Sequence, residues 1–342
     1  MPLFHALSAN NPSKSNGVTH LKKYILKRIL TSLLTVFVVI TLTFFLMHAI
    51  PGTPFSGGNA NLTEEALAAM EANYGLDKPL WQQYVIYLNN ILHGNLGTSI
   101  TYTNRSVSDI ILQAFPVSAD LGIRALIFST VAGVLLGIVA ALHRNTGIDH
   151  FSTIVAIIGI SVPSFVLGTL LQAALGLWFS GLVKTVFHTS FQLFPISRWE
   201  GFRYTILPSF ALGLGSISYI TRLTRSSMLE VIGQDYVKTA KSKGISNRAI
   251  IWKHEVRNAI MPVVTVVGRQ VGLICTGSFV IESLFAIPGL GKYYVNSVTA
   301  RDYTLTMGLT VFYAAFVVFS TLIVDLLYCV IDPRVRLKGE GR

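Results

Sequence analysis

The chain has 342 residues, of which 51% are hydrophobic and only 13% charged; 27 Lys/Arg against 16 Asp/Glu give a net charge of +11. A soluble domain of this length needs far less apolar surface, so the solvent is lipid. The positive charge is not a nucleic-acid footprint, because the basic residues cluster at the ends of apolar runs and in the loops between them.

Residues 1–22 are polar and read as a cytoplasmic tail. Lys22, Lys23, Lys27 and Arg28 precede an apolar run, Ile29–Ile50, too long for a signal-peptide core and without a small-residue cleavage site. The segment 23–50 is therefore expected to be an uncleaved signal-anchor helix, N-terminus inside. The next segment, 51–115, holds five acids against two bases and belongs outside. Within it, Thr63-Glu64-Glu65 can cap a short helix, and Trp81–Leu92 is amphipathic, with Trp81, Tyr84, Val85, Leu88 and Leu92 on one face. Two readings stand for that helix: a membrane-surface anchor, or a landing pad for a binding protein.

The core, 116–331, contains five more apolar runs: Pro116–Leu142, Phe151–Phe179, Ile206–Leu229, Ala259–Leu284 and Leu305–Ile331. Six spans put both termini in the cytoplasm. The stretch Arg222–Arg257, with eight Lys/Arg and three acids, agrees, as does the basic tail 332–342. The mildly basic loop Gly181–Thr205 runs against it. Pro163 and Pro208 are expected to kink or start helices, with Ser161–Ser164 satisfying the freed backbone groups. Cys275 and Cys329 both fall in apolar segments and read as small core hydrophobes rather than a disulfide. The expected class is an all-α integral membrane protein with six transmembrane helices.

The most informative segment is the polar insert 230–262, containing DYVKTAKSKGISNRAIIWKHEVRNAIMP. A positively charged anchoring loop explains its charge, but not its length, its glycine or the apolar stripe Ile245, Ile250, Ile251. It reads as two short helices meeting near Gly244, which can take a positive φ and turn the chain. Ala240 is small where a helix or partner approaches closely, Ser246 or Asn247 can cap the second helix, and Pro262 marks the start of the next span. The insert is expected to be a docking element.

Charges at membrane depth are costly unless they face protein or water. Asp120 and Arg124, one turn apart, are expected to pair, and Asp325 to pair with basic residues near the termini. Arg269, Gln270 and Glu282, with Asp120, are candidates for a translocation path; pairing between subunits explains them equally well. A phosphate-cradling loop is absent, since Ala286 and Tyr293 break the pattern around Gly291-Lys292. Neither Gly-x-Ser-x-Gly nor His-Glu-x-x-His occurs and the eight histidines are scattered, so no catalytic, cofactor or metal site is expected.

The insert resembles the cytoplasmic loop of ABC importer permeases, in the variant of the oligopeptide/dipeptide (and nickel) permease family. Asp235-Tyr236, Thr239-Ala240, Lys243-Gly244 followed by Ile245, Arg257-Asn258-Ala259 and Pro262 carry the likeness. The general motif opens Glu-Ala-Ala; here Lys238-Thr239-Ala240 stands there, and Pro262 lies further from Gly244 than in the general motif. His48–Pro54 (HAIPGTP), Tyr74–Pro79, His93–Gly97, Ser161–Phe165, Glu282–Gly291 and Asp332–Arg336 are similar to that family's first permease subunit, so the likeness covers nearly everything after residue 22. The resemblance implies a type I ABC importer permease fold with a cytoplasmic coupling helix. It further implies a second related permease, two ATPase subunits gripping the insert, an extracytoplasmic substrate-binding protein and a peptide substrate, in a bacterial plasma membrane. Nickel or another small solute is the alternative within the family. An ion-coupled carrier or channel is the rival outside it, and a membrane scaffold that moves nothing leaves the insert and Arg269 unexplained.

Overall fold

The computed structural model describes residues 12–51, 55, 63–188 and 194–331; the expected basic tail 332–342, the Gly52–Pro54 part of the first motif and the start of the N-terminal tail lie outside them. The described residues contain no strand, only an isolated bridge between Thr98 and Ser106. In chain order the helices are α1 (Pro12–Ala49), α2 (Glu64–Tyr74), α3 (Leu80–Leu92), α4 (Val107–Leu142), α5 (Gly147–Ser161), α6 (Ser164–Leu171) and α7 (Ser180–Phe187). They continue with α8 (Phe202–Ile232), α9 (Asp235–Ser242), α10 (Asn247–Ala249), α11 (Arg257–Ala259), α12 (Met261–Cys275), α13 (Phe279–Leu284), α14 (Leu290–Thr299) and α15 (Tyr303–Ile331). Two π-helical stretches, Gln172–Phe179 and Ile250–Val256, join α6 to α7 and α10 to α11.

Among the described residues, five helices are long and apolar enough to cross a membrane: Ile25–Ala49, Val107–Leu142, Ser164–Val186, Phe202–Ile232 and Tyr303–Leu326. A sixth arises if the pair Asn247–Ala259 and Met261–Cys275, bent by 49°, counts as one. Three boundaries differ from the sequence reading. The second span starts at Val107, not Pro116, because Ser106 caps the helix by accepting from the Asp109 N–H at 3.0 Å and Pro116 is accommodated inside it. The run Phe151–Phe179 is broken, with Val162 extended (ψ 123°) as the residue before a proline tends to be, so α6 restarts after Pro163. The expected span Ala259–Leu284 ends at Cys275, where Gly277 takes φ +81° and α13 begins afresh.

The centre of the molecule is the long contact between α4 and α8. Ala125, Ser129, Gly133, Gly137 and Ala141 recur every four residues on α4 and are all buried. A Cβ added at Gly133 would lie 2.8 Å from the Ile220 side chain, and one at Gly137 would lie 2.7 Å from the Thr221 carbonyl oxygen. Lipid is as apolar as leucine, so helices gain little by hiding side chains from it; small residues allow the close backbone approach that holds such pairs together. α5 and α12 join in the same way, through Gly159 against Leu214 and Ser218, and Gly122 against the Ile274–Cys275 backbone.

α1 lies along α15. The segment between α1 and α4 is tied down by the buried Asp302 carboxylate, which accepts from the Thr101 and Leu305 N–H groups at 2.9 Å and from the Ser99 hydroxyl. α3 packs its Tyr84 and Tyr87 against Phe44, Met47, Tyr303 and Met307. Trp81 and Leu92, on the apolar face read from the sequence, are exposed. The register is set by bonds to α1, from Thr41 to Tyr84 at 2.7 Å and from His48 to Gln83 at 3.0 Å.

Gly137→Val is expected to push α4 off α8 at a cost of about 1–3 kcal/mol. It should lower the thermal midpoint of the detergent-purified protein, whereas Val139→Ala, on the exposed side of the same helix, should change it little.

Candidate functional site

The insert folds as the pattern of its residues dictates. α9 buries Val237 and Ala240 against Ile250, with Val231 of α8 packed alongside. Its far face is exposed and polar; Lys238 pairs with Asp235 at 2.9 Å, and the Thr239 hydroxyl donates to the Asp235 carbonyl at 3.0 Å. The solvent-exposed ion pair contributes little. The helix ends at Lys243. Gly244 takes φ +73° and donates its N–H to the Lys241 carbonyl at 3.0 Å, while the Ile245 N–H reaches the Ala240 carbonyl at 3.3 Å. This pair of bonds is the Schellman ending, which a left-handed glycine makes without steric cost. Nothing lies within 4 Å of the space where a Gly244 side chain would stand, so the turn is bare on its outer side.

The return arm closes back on α9. Asn258 Nδ2 donates both to the Tyr236 hydroxyl at 3.1 Å and to the His254 carbonyl at 2.7 Å. Val256 and Ala259 bury themselves among Ile138, Ala141 and Met228. Arg257 is exposed, and Pro262 sits in the first turn of α12, where its missing N–H costs nothing. Ser246 holds the N-cap position of the second arm without a side-chain cap bond. The expected apolar stripe is split: Ile250 is buried, Ile251 half-buried, and Ile245 exposed. Trp252, which the sequence reading passed over, is the largest exposed hydrophobe of the insert; Tyr236, Ile245 and the lysines are exposed as well. Glu255 is buried beneath, and burial pushes its carboxyl above the ordinary range, with Lys241 pulling the other way.

Several charges within the spans are paired. Asp120 accepts from Arg124 Nε at 2.8 Å, both half-exposed, with the guanidinium 5.8 Å from the Phe202 ring centre. Arg28 pairs with Asp325, joining α1 to α15. Asp149 is buried and accepts two bonds from Arg225, at 2.6 and 2.8 Å, plus one from the Asn145 N–H at 2.9 Å. That fork fastens the start of α5 to α8 and was not foreseen, since the partners are 76 residues apart. Gln270 is half-buried, with its side-chain oxygen unpartnered among the described residues. Arg269 is exposed on α12, with no bond or ion pair to any described residue.

Glu282 faces no open surface. Its carboxylate lies in a cradle of Gly277, Gly289 and Gly291, where any Cβ would collide with it. Oε2 accepts from the Gly291 N–H at 2.7 Å, and the Ser118 hydroxyl of α4 accepts from the Leu290 N–H at 2.8 Å. Gly289, the N-cap of α14, has no side chain to offer; Glu282 and Ser118 cap the helix instead.

Residues 133–337 match the family model for "binding-protein-dependent transport system inner membrane component", and residues 21–122 match its N-terminal companion. The dipeptide transport system permease protein DppB of Lactococcus lactis subsp. cremoris is 44% identical over 92% of this chain and 99% of its own length. Its Bacillus subtilis namesake is 44% identical over 93% and 99%. The oligopeptide transport system permease protein OppB of Salmonella typhimurium is 40% identical over 92% and 99%. Among solved structures, an amino acid ABC transporter with histidines aligns at a TM-score of 0.47 and 14% identity, over 66% of this chain and 95% of that one.

Two measurements check this geometry. Glu282→Ala removes a cap acceptor and should cost about 1 kcal/mol, seen as a lowered thermal midpoint that Glu282→Gln largely restores. A carboxyl whose pKa is raised on folding contributes stability that is full below its unfolded value and declines as pH rises through its folded one. As pH rises from the ordinary carboxylate range, the wild type should therefore lose stability more steeply than Glu255→Gln. Parallel slopes would contradict the burial of this carboxylate.

Proposed function

This chain belongs to the binding-protein-dependent transport system inner membrane component family, and we propose that it is the membrane subunit of an ATP-binding-cassette importer that carries peptides inward. Similarity to named dipeptide and oligopeptide permeases, end to end and at about two residues in five, carries the reading. The chain is a multi-span membrane protein and a non-catalytic permease, so ATP hydrolysis belongs to separate subunits. The assembly we infer contains a second related permease, two ATPase subunits and an extracytoplasmic binding protein, with both termini of this chain in the cytoplasm.

The insert is the coupling element in this reading. It exposes Tyr236, Ile245 and Trp252 together with several lysines, apolar and basic groups suited to a groove on an ATPase. α9 is anchored by Val237 and Ala240, and the return arm by Val256 and Ala259, so a push at Gly244 reaches α8 and α12 rather than dissipating in a slack loop. Arg269, Asp120 and the half-buried Gln270 supply polar groups for the path. Glu282 acts on the path indirectly, by fixing α13 and α14 against α4.

Gly244→Pro tests the coupling. Proline cannot adopt φ +73° and has no N–H for the Lys241 carbonyl. Disruption worth ~1.4 kcal/mol or more would lower ATP-driven peptide uptake by about tenfold or more, with membrane insertion unchanged. Normal uptake by that variant would sink the coupling role.

A further inference from the structure

α5 and α8 meet closely at Gly159, where a Cβ would collide with the Ser218 hydroxyl. Nearer the insert, the fork of Arg225 on Asp149 clasps them again. Between these two closures lies an open groove of about 450 Å³, lined by Thr153 of α5 and by Tyr219, Arg222, Leu223, Arg225 and Ser226 of α8. Most of its polar groups are unspent. Arg222 is exposed and makes no bond or ion pair to a described residue, and the Tyr219 and Ser226 hydroxyls are likewise unbonded among the described residues. Arg225 gives Nε and Nη2 to Asp149 and keeps Nη1 free of that fork. The Thr153 hydroxyl donates to the Asp149 carbonyl at 2.9 Å and so can only accept. Two guanidiniums are thus answered by one carboxylate, which leaves the groove positive and rich in donors.

The groove also sits where both helices turn from polar to apolar. α5 carries Asp149, His150, Ser152 and Thr153 in its first part, and Ile154–Ile160 is apolar. α8 is 31 residues long, about 46 Å at 1.5 Å per residue, against about 30 Å of hydrocarbon. Its charges other than Arg203 fall between Arg222 and Ile232, so the surplus length projects at the insert end and Arg222 marks the rim of the apolar layer. From Thr153 the same face of α5 runs on through Ile157 and Ile160, within about 40° of it at 100° per residue, and both are exposed. Donors at the rim above an apolar track suit an amphiphile with an anionic head, and basic pockets between membrane helices select such head groups. We propose that this groove binds an anionic phospholipid of the leaflet on the insert side. Arg222, Tyr219 and Ser226 donate to its phosphate, and one acyl chain lies along Ile157 and Ile160. The bound lipid bridges α5 and α8 beside the Asp149 fork. This inference needs only a chain that spans the membrane, not peptide import.

The test is native mass spectrometry of the complete complex, purified in mild detergent and titrated with phosphatidylglycerol or phosphatidylcholine of identical chains. The wild type should hold one phosphatidylglycerol about tenfold more tightly than Arg222→Gln, the scale of one lost charge-assisted bond. Phosphatidylcholine should bind both alike. Arg222→Lys should keep part of the difference, and Ile160→Ser, on the track, should weaken retention of phosphatidylglycerol with Arg222 intact. Equal retention by wild type and Arg222→Gln would overturn the assignment. So would displacement of the lipid by equimolar glycerol 3-phosphate, which would make the groove a site for free anions, or by trialanine, which would make it a site for peptide carboxylates. Failure of both Arg222 variants to assemble would also overturn it, by placing the residue in an intersubunit contact. The readout is lipid retention rather than uptake, so its outcome is separate from that of the peptide reading.

Discussion

The approach of α4 to α8 is the constraint from which the rest of the molecule follows. In water two helices are driven together by hiding leucines; in lipid that gain vanishes, and attraction must come from backbone contact over a long seam. Gly133 and Gly137 permit that contact, and the neighbouring small residues extend it along α4. With α8 fixed, α5 and α12 have surfaces to lean on, and the insert that follows α8 leaves from a defined point. A bulky residue on this seam would displace four helices at once.

The second organising force is the cost of charge in a poor solvent. Asp149 and Arg225 bind α5 to α8, Arg28 and Asp325 bind α1 to α15, and Asp120 holds Arg124 beside Phe202. The Asp149 fork has the geometry that repays desolvation: a bidentate guanidinium plus a backbone N–H. Glu282 solves the same difficulty differently, by meeting the open N-terminus of α14.

Much of this was legible in the sequence, because the strongest signals are local. Length and apolarity located the spans, and the Gly244 turn was legible because a glycine between two basic helical stretches has one economical conformation. The pairing of Asp120 with Arg124 followed from a four-residue spacing. What escaped depends on partners distant in sequence. Val107–Phe115 contains Asp109 and Gln113 and so reads as non-membranous, yet Val107, Ile110, Ile111 and Ala114 are buried against α14 and α15 rather than lipid. The end of the fifth span at Cys275 was hidden because α13 continues the apolar composition after a turn at Gly277 that only geometry reveals. Asp149 drew no notice in the sequence, since Arg225 beside it is 76 residues away, and only the fold shows the glycine cradle around Glu282.

The 49° bend between the return arm and α12 gives the insert the geometry of a lever. Its pivot is the buried pair Val256 and Ala259, lodged among Ile138, Ala141 and Met228. The arm from Asn247 to Ala259 is about 20 Å long, and Arg269 lies about 12 Å beyond the bend. With the angle held, about 3 Å of travel at the bare glycine tip becomes about 2 Å of swing at the guanidinium, in the reverse sense. The short side of a first-order lever gives up stroke and gains force.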